Sequence, residues 1–270
     1  MAETKMNVQL IAHTQLSADF CSVLSQDDEY LYEKVLREEI SEGQAVALTA
    51  IRTCYSANKP SEIVAKEGAK YFGSKASDGG AGTDADRLFR HIFASKHTST
   101  LEHLTFTFAI EGVSRALLAQ LTRHRVGFSF SVQSQRYVRM GSGDRSGGFD
   151  YVMPDTVKNN EKETPFYNVA ESRVTDHSAE EIFEAAMISA QEYYDALRSV
   201  GVASEDARAV LPNAAATNLV MTANLTALLS FYSKRKKGRG AQAEITELAE
   251  ALRREVVDVE PWTSQFFEEV

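Results

Sequence analysis

Residues 104–132 read LTFTFAIEGVSRALLAQLTRHRVGFSFSV, and the spacing of their apolar residues changes twice. In Leu104–Ile110 every second residue is a large apolar one, which predicts a half-buried strand. Ser114 is a favourable N-cap for a helix over Arg115–His124. The alternation returns in Val126–Val132 and predicts a second strand. Strands and helices without a regular βαβ rhythm indicate an α+β fold.

The rest of the chain adds further elements to this unit. Strands are predicted at Asn7–Thr14 and around Leu219–Met221. Helical spacing predicts helices at Gly43–Tyr55, Asp84–Lys96, Ser178–Val200, Leu225–Lys234 and Gln242–Val257. The glycine-rich segments Gly73–Asp84 and Gly141–Gly148 predict loops. We therefore expect an α+β fold in which a mixed sheet packs against long helices, with residues 1–270 as a single domain.

Composition limits the classes of partner. The chain has 43% hydrophobic and 25% charged residues, as globular proteins do. Its formal net charge of −9 repels a phosphate backbone, so no nucleic-acid partner is expected. Two cysteines, Cys21 and Cys54, are too few for a disulfide framework and fit a reducing compartment. No apolar stretch approaches the roughly 18 residues of a membrane span, and the first residues lack the layout of a signal peptide. We predict a cytoplasmic protein with no membrane partner.

Several common motifs are absent. Gly141–Gly148 has a G-x-G-x-x-x-G spacing without the strand and helix that a dinucleotide-binding loop requires. His97, Glu102 and His103 lack the spacing of a metal site, so no metal is predicted. Neither cysteine has a context that would activate a thiolate.

Cationic residues follow the predicted helix. Arg123, His124 and Arg125 are consecutive, so on a helix their side chains would fan out by about 100° each. Such a fan cannot serve one small group; it suits two ligands, or one ligand shared between subunits. Gln120 lies three residues before Arg123 and would share its face. The alternative is that the cations only stabilise a helix C-terminus.

A second polar cluster, Ser134-Gln135-Arg136-Tyr137, follows the second strand. In a regular strand Arg136 would lie on the apolar face of Phe128 and Phe130, where arginine is rarely found. We therefore expect the chain to kink or bulge near Gln133, which would redirect these side chains towards a site.

These motifs resemble the flavin-dependent thymidylate synthase family, whose signature is RHR, a short spacer and S-x-R. Here the signature reads RHRVGFSFSVQSQRYV. Upstream, KHTSTLEHLTFTFAIEGVSRALLAQLTRHR is similar to the family's histidine and F-x-F segment. Downstream, RAVLPNAAATNLVMTANLTALLSFYSKR and AQAEITELA are similar to two further blocks. The three blocks occur in order and cover most of residues 97–250.

The resemblance implies reductive methylation of dUMP to dTMP. Its one-carbon donor is methylenetetrahydrofolate, and its hydride comes from FAD that NADPH has reduced. For dUMP it implies contacts from Gln120, Arg123, Gln133, Ser134, Gln135, Arg136, Arg208 and Arg235. For FAD it implies contacts from Ser99, Arg123, His124, Arg125, Asn224 and Ser230. Arg235 takes the catalytic role, contacting the uracil and favouring its ionised form. The family builds its active sites at the subunit interfaces of a homotetramer, which is implied here as well.

The sequence departs from the family pattern in three places. The spacer Val126–Gln133 is one residue longer than the commonest pattern. Gly240 stands where many members have a flavin-contacting histidine, and Arg239 is the alternative for that contact. Ser230 stands at the position of an asparagine. Lys236 is an alternative to Arg235.

Other interpretations of the same residues stay open. Arg208 could be a surface residue of a helix, and Asn224 could be a helix N-cap, alone or together with a ligand contact. The basic run Lys234–Arg239 could be a solvated face. Two alternative functions are a nucleotide- or nucleic-acid-binding module that uses these cations as phosphate clamps, and a family member that binds FAD and dUMP without turnover.

Overall fold

Six strands and twelve α-helices form within the residues that the computed structural model describes, 1–168 and 172–270. The strands are β1 (Asn7–His13), β2 (Thr105–Ser114), β3 (Phe128–Val132), β4 (Glu163–Asn168), β5 (Arg173–Ser178) and β6 (Ala216–Asn224). The α-helices are α1 (Ala18–Asp27), α2 (Glu29–Leu36), α3 (Glu42–Thr53), α4 (Ile63–Gly73), α5 (Asp84–Ala94), α6 (Arg115–Leu121), α7 (Asp155–Lys158), α8 (Ala179–Ser199), α9 (Ser204–Ala207), α10 (Leu225–Arg235), α11 (Ala243–Val259) and α12 (Ser264–Glu269). Short 3₁₀-helices cover Pro60–Glu62, Thr98–His103, Arg208–Val210 and Pro261–Thr263.

A four-stranded sheet of order β1-β2-β6-β3 lies at the centre of the fold. Each of its neighbouring pairs is antiparallel, with Phe108 opposite Met221 and Phe130 opposite the same methionine. The α+β class is confirmed, but the expectation of a mixed sheet is wrong. Every neighbouring pair joins strands that are far apart in the chain, so periodicity does not determine their relative direction, and antiparallel pairing is slightly more stable per residue.

Two hydrophobic clusters hold the helices in place. In the larger one, the inner face of the sheet packs against α3, α4, α5, α10, α11 and α12, and the large side chains Phe106, Phe108 and Phe231 are almost fully buried. The smaller cluster lies around Tyr194 of α8 and includes Phe149. A single domain over residues 1–270 stays a prediction.

Most predicted elements occur close to their predicted positions. The Asn7–Thr14 strand and the predicted helices match β1, α3, α5, α8, α10 and α11 to within a few residues. Ser178 caps α8, with its side chain accepting from the N–H of Glu181, and Gly201 follows the helix with a φ of +89°. Helices α1, α2 and α4 and the β4–β5 hairpin were missed. Ser17 and Asp28, which cap α1 and α2, were available signals in the sequence.

The helix that precedes the RHR motif is shorter than predicted. Ser114 caps α6 as expected, but α6 ends at Leu121. The N–H of His124 still donates to the carbonyl of Leu121, after which the backbone leaves the helical path. The prediction that Arg123–Arg125 fan out on a helix is therefore wrong; these residues form a turn and a loop.

The chain also departs from the sheet where a kink was expected. β3 ends at Val132, and a turn begins at Ser134, whose carbonyl accepts from the N–H of Val138 at 2.8 Å. The strand itself begins only at Phe128, because Gly127 has a φ of +74°, which lies outside the strand region. In the described ranges, no helix is both long enough and apolar enough to cross a membrane.

Candidate active site

The loop that follows RHR is fixed on the first turn of α10. Asn224 caps this helix, its side chain accepting from the N–H of Ala227 at 2.8 Å, while its own N–H donates to the carbonyl of Gly127 at 3.1 Å. A Cβ at Gly127 would lie 2.7 Å from the Cβ of Ala227 and 2.8 Å from Nδ2 of Asn224. Only glycine permits this approach, so the loop position depends on it. The N-cap interpretation of Asn224 is confirmed; its flavin contact stays a prediction.

His124 meets Arg235 from the last turn of α10. Nε of Arg235 donates to Nε2 of His124 at 3.4 Å. Arginine has only donors, so Nε2 must be unprotonated in this contact. The imidazole ring lies edge-on to Phe231, with 4.9 Å between ring centroids. Two residues that the sequence assigned to the site are thereby brought together.

The pKa of His124 is lowered from its usual value. Burial is the largest cause, and the positive charges of Arg235, Lys234 and Arg123 follow. His124 is therefore neutral at pH 7 and can accept from Arg235.

We expect activity to fall as the pH drops through the lowered pKa of His124. A proton on this ring would remove the acceptor for Arg235 and add a positive charge beside those of Arg235, Lys234 and Arg123. Since the pKa is lowered in the folded state, the same group makes folding less favourable below the unfolded value of about 6.5. The measurement is kcat/KM against pH for the native protein and for His124→Gln. The substitution should remove an acid limb whose midpoint lies below about 6.5; an identical limb in both proteins would show that another group titrates.

The two arginines of the motif are available for ligands. Arg123 and Arg125 are exposed, and neither forms an ion pair with any carboxylate of residues 1–168 or 172–270. Beside them the amide Nε2 of Gln120 donates to Oε1 of Gln242 at 2.6 Å. Together with His124 and the arginine that contacts it, these residues form what we call the RHR cluster: Gln120, Arg123, His124, Arg125 and Arg235.

A second cationic group forms around Glu205. Its carboxylate pairs with Arg136 at 2.5 Å, and its backbone carbonyl accepts from Nε of Arg208 at 3.0 Å. The hydroxyl of Ser204 donates to the carbonyl of Arg136. Arg136 and Arg208, both predicted to bind dUMP, are thus neighbours in the structure. We call Arg136, Arg208 and the nearby Arg115 the arginine cluster.

Arg115 joins the site although its sequence context did not predict it. It begins α6, and its pKa is lowered first by burial and then by the charge of Arg208. No carboxylate in the described residues pairs with Arg115. A cation in the first turn opposes the helix dipole, and this local conflict was a signal that the residue serves something other than the helix.

Helix α6 connects the two clusters. Arg115 lies at its first residue, and Gln120 lies in its last turn, just before Arg123. At 1.5 Å per residue the helix separates these two residues by roughly 8 Å along its axis. One extended ligand or two adjacent ligands can therefore contact both clusters.

The turn after β3 contributes a side-chain amide and a hydroxyl to the candidate site. Gln135 is only 8% exposed, and its amide Nε2 has no hydrogen-bond partner among the residues that the structure describes. A buried donor without a partner costs about 1–3 kcal/mol, so this amide is suited to a ligand acceptor. The hydroxyl of Ser134 accepts from the N–H of Arg136. Gln133 instead lies against Asn218, whose amide donates to it at 3.5 Å.

Ser99 and Ser230 occupy different surroundings. Ser99 lines a pocket of about 700 Å³ between α1, α3 and the 98–103 segment, together with His97 and His103. That segment is joined to α10, because the hydroxyl of Thr226 donates to the carbonyl of Thr98 at 2.8 Å. Ser230 is exposed on α10, and no contact of its side chain with either cluster occurs in the described part of the chain.

The departures from the family pattern also have structural counterparts. The ammonium of Lys236 donates to the carbonyl of Val270, so it turns away from the RHR cluster, and Arg235 is the cation that contacts His124. Gly240 is exposed with a φ of +72°, and Arg239 is exposed. Lys236 is therefore the weaker candidate for the catalytic role.

The chain is similar to known proteins in sequence and in fold. Residues 35–262 match the Thy1 family, described as thymidylate synthase complementing protein. A flavin-dependent thymidylate synthase from Geobacter sulfurreducens is 39% identical over 217 residues, which cover 80% of this chain and 78% of the relative. One from Nitratidesulfovibrio vulgaris is 44% identical over 166 residues, covering 60% and 59% of the two chains. The fold is similar to that of a UMP/dUMP methylase from Streptomyces cacaoi bound with 5-Br dUMP, with a TM-score of 0.64, 21% identity, and 99% and 97% of the chains covered.

The fold and the clusters define an α+β protein whose cationic groups are suited to phosphorylated ligands. More narrowly, the chain belongs to the Thy1 family, and the resemblance predicted from its sequence motifs is confirmed.

Proposed function

We propose that the protein catalyses the reductive methylation of dUMP to dTMP, with methylenetetrahydrofolate as one-carbon donor and FAD reduced by NADPH as the source of hydride. The observation that carries this proposal is the pairing of two cationic clusters at the ends of α6 in a member of this family. The relatives in the comparison are named flavin-dependent thymidylate synthases, which supports the same reaction.

The residues present fit a flavin cofactor. Arg123 and Arg125 have no carboxylate partner in the described chain and can hold a pyrophosphate, while His124 presents a neutral ring beside Phe231. Asn224 caps α10, and the 98–103 segment that carries Ser99 is hydrogen-bonded to the same helix. Both residues are therefore linked to the helix that carries Arg235. When bound, FAD supplies the hydride; the protein supplies binding, orientation and charge.

The arginine cluster fits the phosphate of dUMP. A guanidinium group can form two parallel hydrogen bonds to phosphate oxygens, and three such groups lie together here. The ion pair of Arg136 with Glu205 is exposed, at 57% and 44%, so it contributes little and a phosphate can displace it. The unpaired amide of Gln135 and the hydroxyl of Ser134 provide further groups for the nucleotide.

Arg235 is the catalytic residue in this proposal. Its guanidinium is half-buried and held by His124, so it offers a positioned positive charge to the uracil. Such a charge stabilises negative charge that develops on the ring during the reaction.

The cysteines support a reaction without an enzyme thiolate. Burial is the largest cause that raises the pKa of Cys21, which disfavours its ionised form. Cys54 is exposed, and its thiol donates to the carbonyl of Ala50. Two free thiols also support a cytoplasmic location.

A homotetramer is part of the proposal. Arg123 and Arg125 point into solvent in one subunit, and Val126 beside them is 89% exposed. A neighbouring subunit would cover these residues and complete the site between copies of the chain.

The experiment is a dTMP-formation assay with dUMP, methylenetetrahydrofolate, NADPH and FAD. We expect dTMP together with tetrahydrofolate, and no product when FAD is removed. Binding of FAD and dUMP without product would identify the alternative, a family member that no longer turns over. Absence of both binding and product would reject the proposal.

A further inference from the structure

The N-cap and the first turn of α11 contact both ends of α6. This turn belongs to the AQAEITELA block, to which neither the sequence motifs nor the proposed reaction assigns a role. It follows the loop that leaves Arg235, so it is close in sequence to the catalytic residue and close in space to the RHR motif.

Glu244 holds the beginning of α6. Its two carboxylate oxygens accept from the N–H of Ser114 at 2.7 Å and from the hydroxyl of the same serine at 2.6 Å. That hydroxyl in turn accepts from the N–H of Leu117 at 3.0 Å as the N-cap of α6. Ser114 is 3% exposed, so few waters could replace the carboxylate. The negative charge also lies at the helix N-terminus, where the dipole favours it.

Gln242 holds the end of α6. Its side-chain oxygen accepts from Gln120 at 2.6 Å, and it makes no capping hydrogen bond to its own helix. Gln242 is exposed, so the contact is not needed to fill the core. Its evident effect is to fix the rotamer of Gln120.

A helix of seven residues is marginal without such contacts. Its position nevertheless decides where Arg115, Gln120 and Arg123 lie relative to one another. A displacement of about 1 Å at a site of this kind can cost on the order of 100-fold in rate.

We propose that Glu244 and Gln242 are positioning residues that fix α6 at both ends and thereby place its cationic and amide groups for nucleotide binding. The inference rests on the proposed function, because it takes dUMP as the ligand of these groups.

The test compares Glu244→Ala with Glu247→Ala, a change to an exposed glutamate one turn further along α11. At a temperature at which circular dichroism shows both variants folded, Glu244→Ala should raise KM for dUMP roughly tenfold or more, with a smaller change in kcat. Glu247→Ala should leave both constants unchanged, and Glu244→Gln, which keeps one acceptor, should recover part of the loss.

A second pair of variants tests the other end. Gln242→Ala should raise KM for dUMP in the native background and have no further effect when Gln120 is already alanine, because the two residues act through one contact. If Glu244→Ala only lowers the melting temperature and leaves KM for dUMP within twofold, the residue is merely structural and the inference is wrong. If the native protein itself does not bind dUMP in a direct titration, the proposed function has failed instead.

Discussion

Arg235→Ala should lower kcat by about 10²- to 10³-fold, the usual loss when one positioned donor to a developing anion is removed. FAD should remain bound, because Arg123 and Arg125 do not depend on Arg235 for a contact in the described chain. The substitution also removes the donor to Nε2 of His124 and one of the charges that lower its pKa. The measurements are single-turnover dTMP formation and flavin absorbance after gel filtration.

The controls separate charge from geometry. Lys237→Ala removes an exposed cation two residues further on and should leave kcat unchanged. Arg235→Lys keeps the charge but loses the planar fork, so it should recover only part of the activity. Native turnover in Arg235→Ala would reject the catalytic assignment, and loss of FAD would show that the residue binds the cofactor instead.

Gly127→Ala should be the most damaging small substitution in the site. The residue has a φ of +74°, and its new Cβ would approach Ala227 at 2.7 Å. We expect the free energy of unfolding to fall by about 2 kcal/mol, from left-handed backbone strain and overlap together. The loop can relieve the overlap only by leaving Asn224, so FAD affinity should fall as well. Urea denaturation and flavin titration measure the two effects.

Gly143→Ala is the matched control, because that glycine lies in an open loop with a negative φ and nothing within 4 Å of the added carbon. It should change neither stability nor flavin affinity. A Gly127→Ala variant with native stability and flavin affinity would show that the loop adapts freely and that its contact with α10 does not fix the site.

Regular periodicity was enough to predict the individual strands and helices around the central sheet. Leu104–Ile110 alternates because one face of β2 covers the core, and Ser114 caps the next helix through a local hydrogen bond. Local patterns of this kind are visible in sequence. The sheet was wrongly expected to be mixed, because strand direction depends on how distant segments pair.

The site was predictable by residue type but not by arrangement. The contact of Arg235 with His124 joins residues 111 positions apart, and the helix end at Leu121 changes the geometry of RHR. Arg115 stands out in the sequence only as a cation that opposes a helix dipole, and its place in the site becomes visible when the fold brings Arg208 near it. Only the folded chain brings such groups together.

The central claim is that these guanidinium groups bind a flavin and a deoxyuridylate side by side. Its most direct test is the flavin absorbance spectrum of the purified protein in the presence of FAD, recorded during a titration with dUMP. The account predicts a yellow protein whose flavin bands shift in a saturable way as dUMP is added. A protein that retains no flavin and gives no response to dUMP would contradict it.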